Sequence, residues 1–113
     1  MNIEQPNELI KQICSYMSAP DDEFPAETGN YEEDDRILEE FIKEKYPLID
    51  CEGCFKGMAI DLNNALCYIN HPQAELMSNV LLCSVFNWEG CDHRLLEKIW
   101  NVLKDDPLAT IEV

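Results

Sequence analysis

With 113 residues, the chain has the length of one ordinary domain and can bury a core without disulfide or metal staples. Its 23 acidic against 8 basic residues leave a formal net charge of −15, a field that repels nucleic acid and anionic lipid and attracts basic surfaces. The expected partner is therefore a basic protein, with no direct contact to nucleic acid or membrane.

Leu9, Ile10, Ile13, Cys14 and Met17 recur at helical spacing behind Pro6, whose missing N–H costs nothing in a first turn, so a helix is expected from Pro6 to Met17, ended by Ala19-Pro20. Residues 20–31 carry two prolines, a glycine and four carboxylates and read as an exposed acidic loop, with Phe24 its one large apolar side chain able to pin it to the core. Ile37, Leu38, Phe41, Ile42 and Tyr46 predict a second amphipathic helix over 32–46, closed by Pro47.

Residues 47–60, with Gly53 and Gly57, read as a connector, after which Asp61 is placed to cap a short helix through Leu62, Ala65, Leu66 and Ile69. Asn70-His71-Pro72 interrupts the pattern and starts the longest apolar stretch of the chain, 72–88. At 100° per residue its apolar side chains fall on two sides, Ala74, Met77, Val80, Leu81, Val85 and Trp88 on one and Leu76, Leu82, Cys83 and Phe86 on the other. That pattern predicts a buried central helix covered by others and paired with its predecessor as an αα-hairpin. Gly90 is expected to end it, and Asp92 to cap a last helix through Leu95, Leu96, Ile99, Trp100 and Leu103. Pro107 stops that helix; 107–113 is a C-terminal tail able to pack as an extended segment.

The whole reads as one all-α domain over 1–113, an irregular bundle or short superhelix of about five helices around 72–88. Strand competes with this reading only at 58–60 and 109–113.

The six cysteines do not by themselves imply disulfides. The start of the chain, Met1 to Pro6, shows no cationic region followed by an apolar core and cleavage site, which predicts a cytoplasmic protein with reduced thiols. Cys51-Glu52-Gly53-Cys54 followed by Cys67 and His71 has the spacing C-x2-C, x12, C-x3-H, able to supply four tetrahedral zinc ligands. Core packing explains the helix carrying Cys67 equally well, so unliganded thiols and no cofactor are the expectation, with a zinc-stabilised adaptor domain as the alternative. No nucleophile elbow, zinc-protease helix, P-loop, dinucleotide fingerprint or calcium loop is present, and a thiolate nucleophile is disfavoured by the acidic field. The chain is not read as an enzyme.

Between Asp21 and Glu40 there are ten carboxylates, Asp21, Asp22, Glu23, Glu27, Glu32, Glu33, Asp34, Asp35, Glu39 and Glu40, against one basic residue, Arg36. Pairs Glu32–Arg36, Arg36–Glu40 and Glu39–Lys43 at helical spacing account for part of that charge. The remainder repels itself at a cost in folding free energy, and this marks the segment as the partner-binding surface.

In size, acidity and helical content the chain resembles bacterial immunity proteins of polymorphic-toxin and contact-dependent growth inhibition systems. That resemblance implies an antitoxin that occludes the basic active site of a toxin nuclease. A nucleic-acid mimic that blocks a restriction or CRISPR effector is the alternative. The charge is concentrated in the first half, net −10 over 1–57 and −5 over 58–113, which suits a local contact patch better than an extended mimic of phosphates.

Overall fold

Apolar periodicity decides where this chain turns helical; a proline, side-chain caps and a left-handed asparagine mark several of the helix ends. The computed structural model describes residues 4–49 and 55–112. Within them five α-helices form: α1 (Pro6–Ser18), α2 (Tyr31–Lys45), α3 (Phe55–Tyr68), α4 (Ala74–Phe86) and α5 (His93–Leu103). Single 3-10 turns occupy Asp21–Glu23 and Trp88–Gly90, and no strand occurs among the described residues. The protein is an all-α irregular bundle.

Pro6 occupies the first turn of α1. Asp92 caps α5 as its position before the apolar pattern predicts, Oδ1 accepting the Leu95 N–H at 3.1 Å. The cap of α2 is Asn30, whose Oδ1 accepts the Glu33 N–H at 3.2 Å.

The start of α3 differs from expectation. It begins at Phe55 rather than at Asp61, so residues 55–60 of the expected 47–60 connector are helical. Phe55, Met58, Ala59 and Leu62 follow the i, i+3, i+4, i+7 pattern of a buried face, and Met58, Ala59 and Leu62 are almost wholly buried. That burial outweighs the cost of about 1 kcal/mol for Gly57 inside a helix. At its other end α3 closes with a Schellman motif: the His71 N–H reaches Leu66 O and the Asn70 N–H reaches Cys67 O, each at 3.1 Å. Asn70 takes the left-handed conformation this requires, with φ of 54°.

Helix α3 packs on both α1 and α4, α1 also packs on α5, and α4 closes onto α5. The α3/α4 pair forms the expected hairpin. On the first apolar side of α4 Met77, Val80 and Leu81 are buried, with Ser84 beside them, while Ala74 and Val85 are half-buried. The second side is only partly covered: Leu76 and Cys83 pack against the core, whereas Leu82 and Phe86 are exposed. The helix ends at Phe86, before the expected Gly90, so Trp88, expected on the buried side, lies instead in the following 3-10 turn and is exposed.

The tail opens with a turn at Pro107-Leu108, the Ala109 N–H reaching Asp106 O at 3.1 Å, and has no regular secondary structure over 109–112. Ile111 is buried, and the chain is held where it crosses the α3–α4 turn. His71 Nδ1 accepts the Gln73 N–H at 3.0 Å, which leaves the proton on Nε2 to donate to Ala109 O at 2.8 Å. The Gln73 side-chain amide completes the clamp, accepting the Ile111 N–H at 2.6 Å and donating to Ile111 O at 2.9 Å.

Helix α2 is the outlying element, with Ile42 its one buried residue. It docks through aromatic rings. Tyr16 of α1, Phe24 of the acidic loop, and Phe41 and Tyr46 from the end of α2 form a closed circuit of edge-on contacts with centroid separations of 5.5 to 6.2 Å. Each such pair contributes about 0.5–1.5 kcal/mol beyond its buried area.

Candidate functional site

The acidic segment lies on the α2 side of the molecule, and Phe24 fixes it there by entering the ring circuit. A second fixing point comes from the chain turn at Gly29, whose φ of +87° suits glycine. This turn brings Thr28 back to the first turn of α2, where Asp34 Oδ1 accepts both the Thr28 N–H and the Thr28 hydroxyl at 2.7 Å. The Thr28 backbone bond and then its hydroxyl hold the Asp34 carboxyl below the ordinary aspartate range. A third tie is the Lys45 ammonium, 3.0 Å from Glu23 Oε2 across 22 residues of chain.

The ten carboxylates accordingly divide into two groups. Arg36 bonds Glu33 and, at 3.0 Å, Glu40, while Lys43 meets Glu39 at 2.9 Å. The partner of Arg36 one turn back is thus Glu33 rather than Glu32. With Glu23 on Lys45 and Asp34 on Thr28, half of the set is occupied. Asp21, Asp22, Glu27, Glu32 and Asp35 make no ion pair among the described residues, and all five are exposed.

Between the loop and α2 lies an open groove of about 670 Å3. The half-buried Phe24, Ile37 and Leu38 supply its apolar lining, while Glu27, Asp34 and Asp35 add three carboxylates. Tyr31, 85 % exposed, stands at its edge. Ligand-sized clefts typically enclose about 300–1,000 Å3. The sequence marks the carboxylates and Phe24 but not the groove. Its overlooked signal is Tyr31, a large aromatic residue at the mouth of a helix whose first turn is otherwise acidic.

The sulfur and imidazole set is placed differently. Cys51 and Cys54 lie outside the described residues. Cys67 is exposed on α3, its Sγ 3.8 Å from Ser78 Oγ, whereas His71 is buried with both ring nitrogens engaged by Ala109 and Gln73. To ligate a metal, His71 would have to give up one of those bonds. Among the described residues no group of three or more His, Cys, Asp or Glu side chains is arranged to hold a metal ion.

Of the remaining thiols, Cys14 is fully buried in α1 and its pKa is driven far upward by desolvation. Burial also raises that of Cys91, with smaller contributions from Cys83 and Asp92. Neither is poised as a thiolate nucleophile.

Comparison of the chain with protein-family models, curated proteins and solved structures finds no match. No helix among the described residues is long and apolar enough to cross a membrane.

Proposed function

We propose that this protein is a small acidic inhibitor of the immunity or antitoxin kind, which neutralises a basic toxin, most simply a nuclease, by occluding its active site. The observation that carries the reading is the unpaired half of the acidic set. Asp21, Asp22, Glu27, Glu32 and Asp35 stay exposed and without cation partners among the described residues, although Arg36, Lys43 and Lys45 sit in the same region and are each engaged elsewhere. An enzyme that binds a phosphate backbone carries lysine and arginine around its cleft, and such a cleft meets these carboxylates as it meets phosphates. Steering by the net charge of −15 speeds capture, which matters when a toxin must be stopped before it cuts.

The charge geometry favours this reading over a duplex mimic. The unpaired carboxylates cluster about one loop and one helix instead of tracking an extended face. The test is affinity purification from the native host at low and moderate salt, followed by assay of whatever co-purifies. A stoichiometric basic nuclease whose activity disappears in the complex supports the inhibitor. A large DNA-processing effector supports the mimic in its place, and the absence of any stoichiometric partner overturns both.

A further inference from the structure

The groove between the acidic loop and α2 combines two features that phosphate mimicry alone does not call for: an apolar lining of Phe24, Ile37 and Leu38, and an exposed ring, Tyr31, at its edge. Charge matched against a cleft of lysine and arginine needs neither. From their coexistence with Glu27 and Asp35 we infer that the groove is a docking site for a short basic segment of the partner, one carrying a large apolar side chain flanked by arginine or lysine. This inference rests on the inhibitor reading for the source of the segment, but not for its chemistry.

The occupant follows from complementarity. An apolar side chain gains by leaving water against Phe24, Ile37 and Leu38. Its cationic neighbours then lie beside Glu27 and Asp35, neither of which has an ion-pair partner within the described chain. An acidic or neutral segment would bury the same apolar area while leaving those carboxylates uncompensated, and would meet the field of the whole molecule. Tyr31 belongs to a residue type enriched among interface hot spots, able to cover an apolar side chain while its hydroxyl stays in solvent. The groove is also held open in advance, because the Asp34–Thr28 bonds and the Phe24 contacts fix the loop that forms one wall. Pre-organisation of this kind lowers the ordering cost of binding.

A second exposed apolar pair, Leu82 and Phe86 on α4, has a cation at hand rather than a carboxylate: the Lys56 ammonium lies 5.8 Å from the Phe86 ring centroid.

The experiment uses the full chain and two labelled synthetic peptides, one with a tryptophan between runs of arginine and the other with alanine in its place, titrated by fluorescence anisotropy at moderate salt. The tryptophan peptide is expected to bind roughly tenfold more tightly or better. Tyr31→Ala and Ile37→Ala should erase that advantage while leaving the weaker alanine-peptide binding in place. Phe86→Ala, on the far patch, should change nothing. Because Tyr31 is exposed, its truncation leaves the core intact, and circular dichroism verifies this for both groove variants. Equal affinity for the two peptides, or loss of the advantage in Phe86→Ala rather than in the groove variants, overturns the inference. Failure of the inhibitor reading is separable: a groove that discriminates the peptides stands even where no basic nuclease co-purifies. Conversely, a nuclease held with undiminished affinity by Tyr31→Ala and Ile37→Ala refutes the groove and leaves the inhibitor intact.

Discussion

Asp34 accepts two hydrogen bonds from Thr28, one from its backbone N–H and one from its hydroxyl, so a single carboxylate closes the acidic loop onto the start of α2. The contact holds Asp34 ionised below the ordinary aspartate range. A carboxyl with a depressed folded-state pKa contributes stability that is present above its unfolded value of about 3.9 and is lost as pH falls through the lower folded value. The loop closure should therefore persist on acidification until below about pH 3.9, followed by NMR through the Thr28 amide. Asp34→Ala should speed proteolysis within 25–30 at neutral pH with little change in thermal midpoint, since the bonds lie at the surface. An unchanged cleavage rate would count against the closure.

His71 and Gln73 together hold the C-terminal tail through three hydrogen bonds to Ala109 and Ile111. His71→Ala removes the donor from Ala109 O and the acceptor from the Gln73 N–H, and should cost about 1–3 kcal/mol in urea unfolding. Gln73→Ala should cost a similar amount. The double variant should lose less than the sum, because both side chains restrain one segment. Full additivity, or native-like hydrogen-exchange protection of Ile111 in His71→Ala, would show that the tail is held by burial of its side chain alone.

Leu81 and Leu82 are sequence neighbours with opposite environments, Leu81 wholly buried and Leu82 37 % exposed. Leu81→Ala should lose about 2–5 kcal/mol through the cavity it leaves. Phe86→Ala, at a position 73 % exposed, should stay within about 0.5 kcal/mol of the parent. Comparable losses at the two positions would mean that both sides of α4 are covered in solution.

Periodicity made the helices legible, and the failures are local. Leu9, Ile10 and Ile13, or Leu95, Leu96 and Ile99, mark a helix face whatever packs on it, and Asp92 announces a cap by position alone. Gly57, in contrast, reads as a break unless the buried pattern of Phe55, Met58 and Leu62 is weighed against it, and six residues of α3 are lost to the connector in consequence. The twofold apolar pattern of α4 reports composition, not coverage; whether another helix reaches Leu82 and Phe86 is decided by tertiary packing. At the candidate site the acidic residues were conspicuous, but which of them are neutralised was not. Lys45 meets Glu23 across 22 positions, and Thr28 rather than a cation satisfies Asp34. The groove itself exists because Phe24 and Thr28 dock the loop, a relation that no local window contains.

The thiols differ in reach. Cys67 is exposed on α3, whereas Cys14 is fully buried with its pKa pushed strongly upward by desolvation. Under native conditions an alkylating reagent should modify Cys67 well before Cys14, read by mass spectrometry of the peptides that carry them. Cys14 should react only at the rate of unfolding. Early labelling of Cys14 would show that α1 opens locally.

The occupied and unoccupied carboxylates make separable predictions about binding. Lysine at Asp21, Asp22, Glu27 and Asp35 removes charge that has no cation partner among the described residues, so these reversals relieve repulsion and should leave stability equal or higher. In the inhibitor reading, the association rate for a basic partner should fall by about 10- to 1,000-fold at low salt, and its salt dependence should flatten. Glu23→Lys and Glu33→Lys are the control pair. They change the net charge in the same direction, but place a like charge against Lys45 and Arg36, respectively. Exposed ion pairs of this kind are worth about 0–1 kcal/mol each, so the controls should lose a little stability as well as some steering. If long-range charge alone governs encounter, the two sets should slow association equally per reversed residue. If the exposed, unpaired carboxylates form the contact surface, the first set should also raise the dissociation rate, and the controls should not. Stopped-flow association and surface-based dissociation measured on both sets at two ionic strengths distinguish these outcomes, and an unchanged dissociation rate in the first set would move the contact surface away from 21–35.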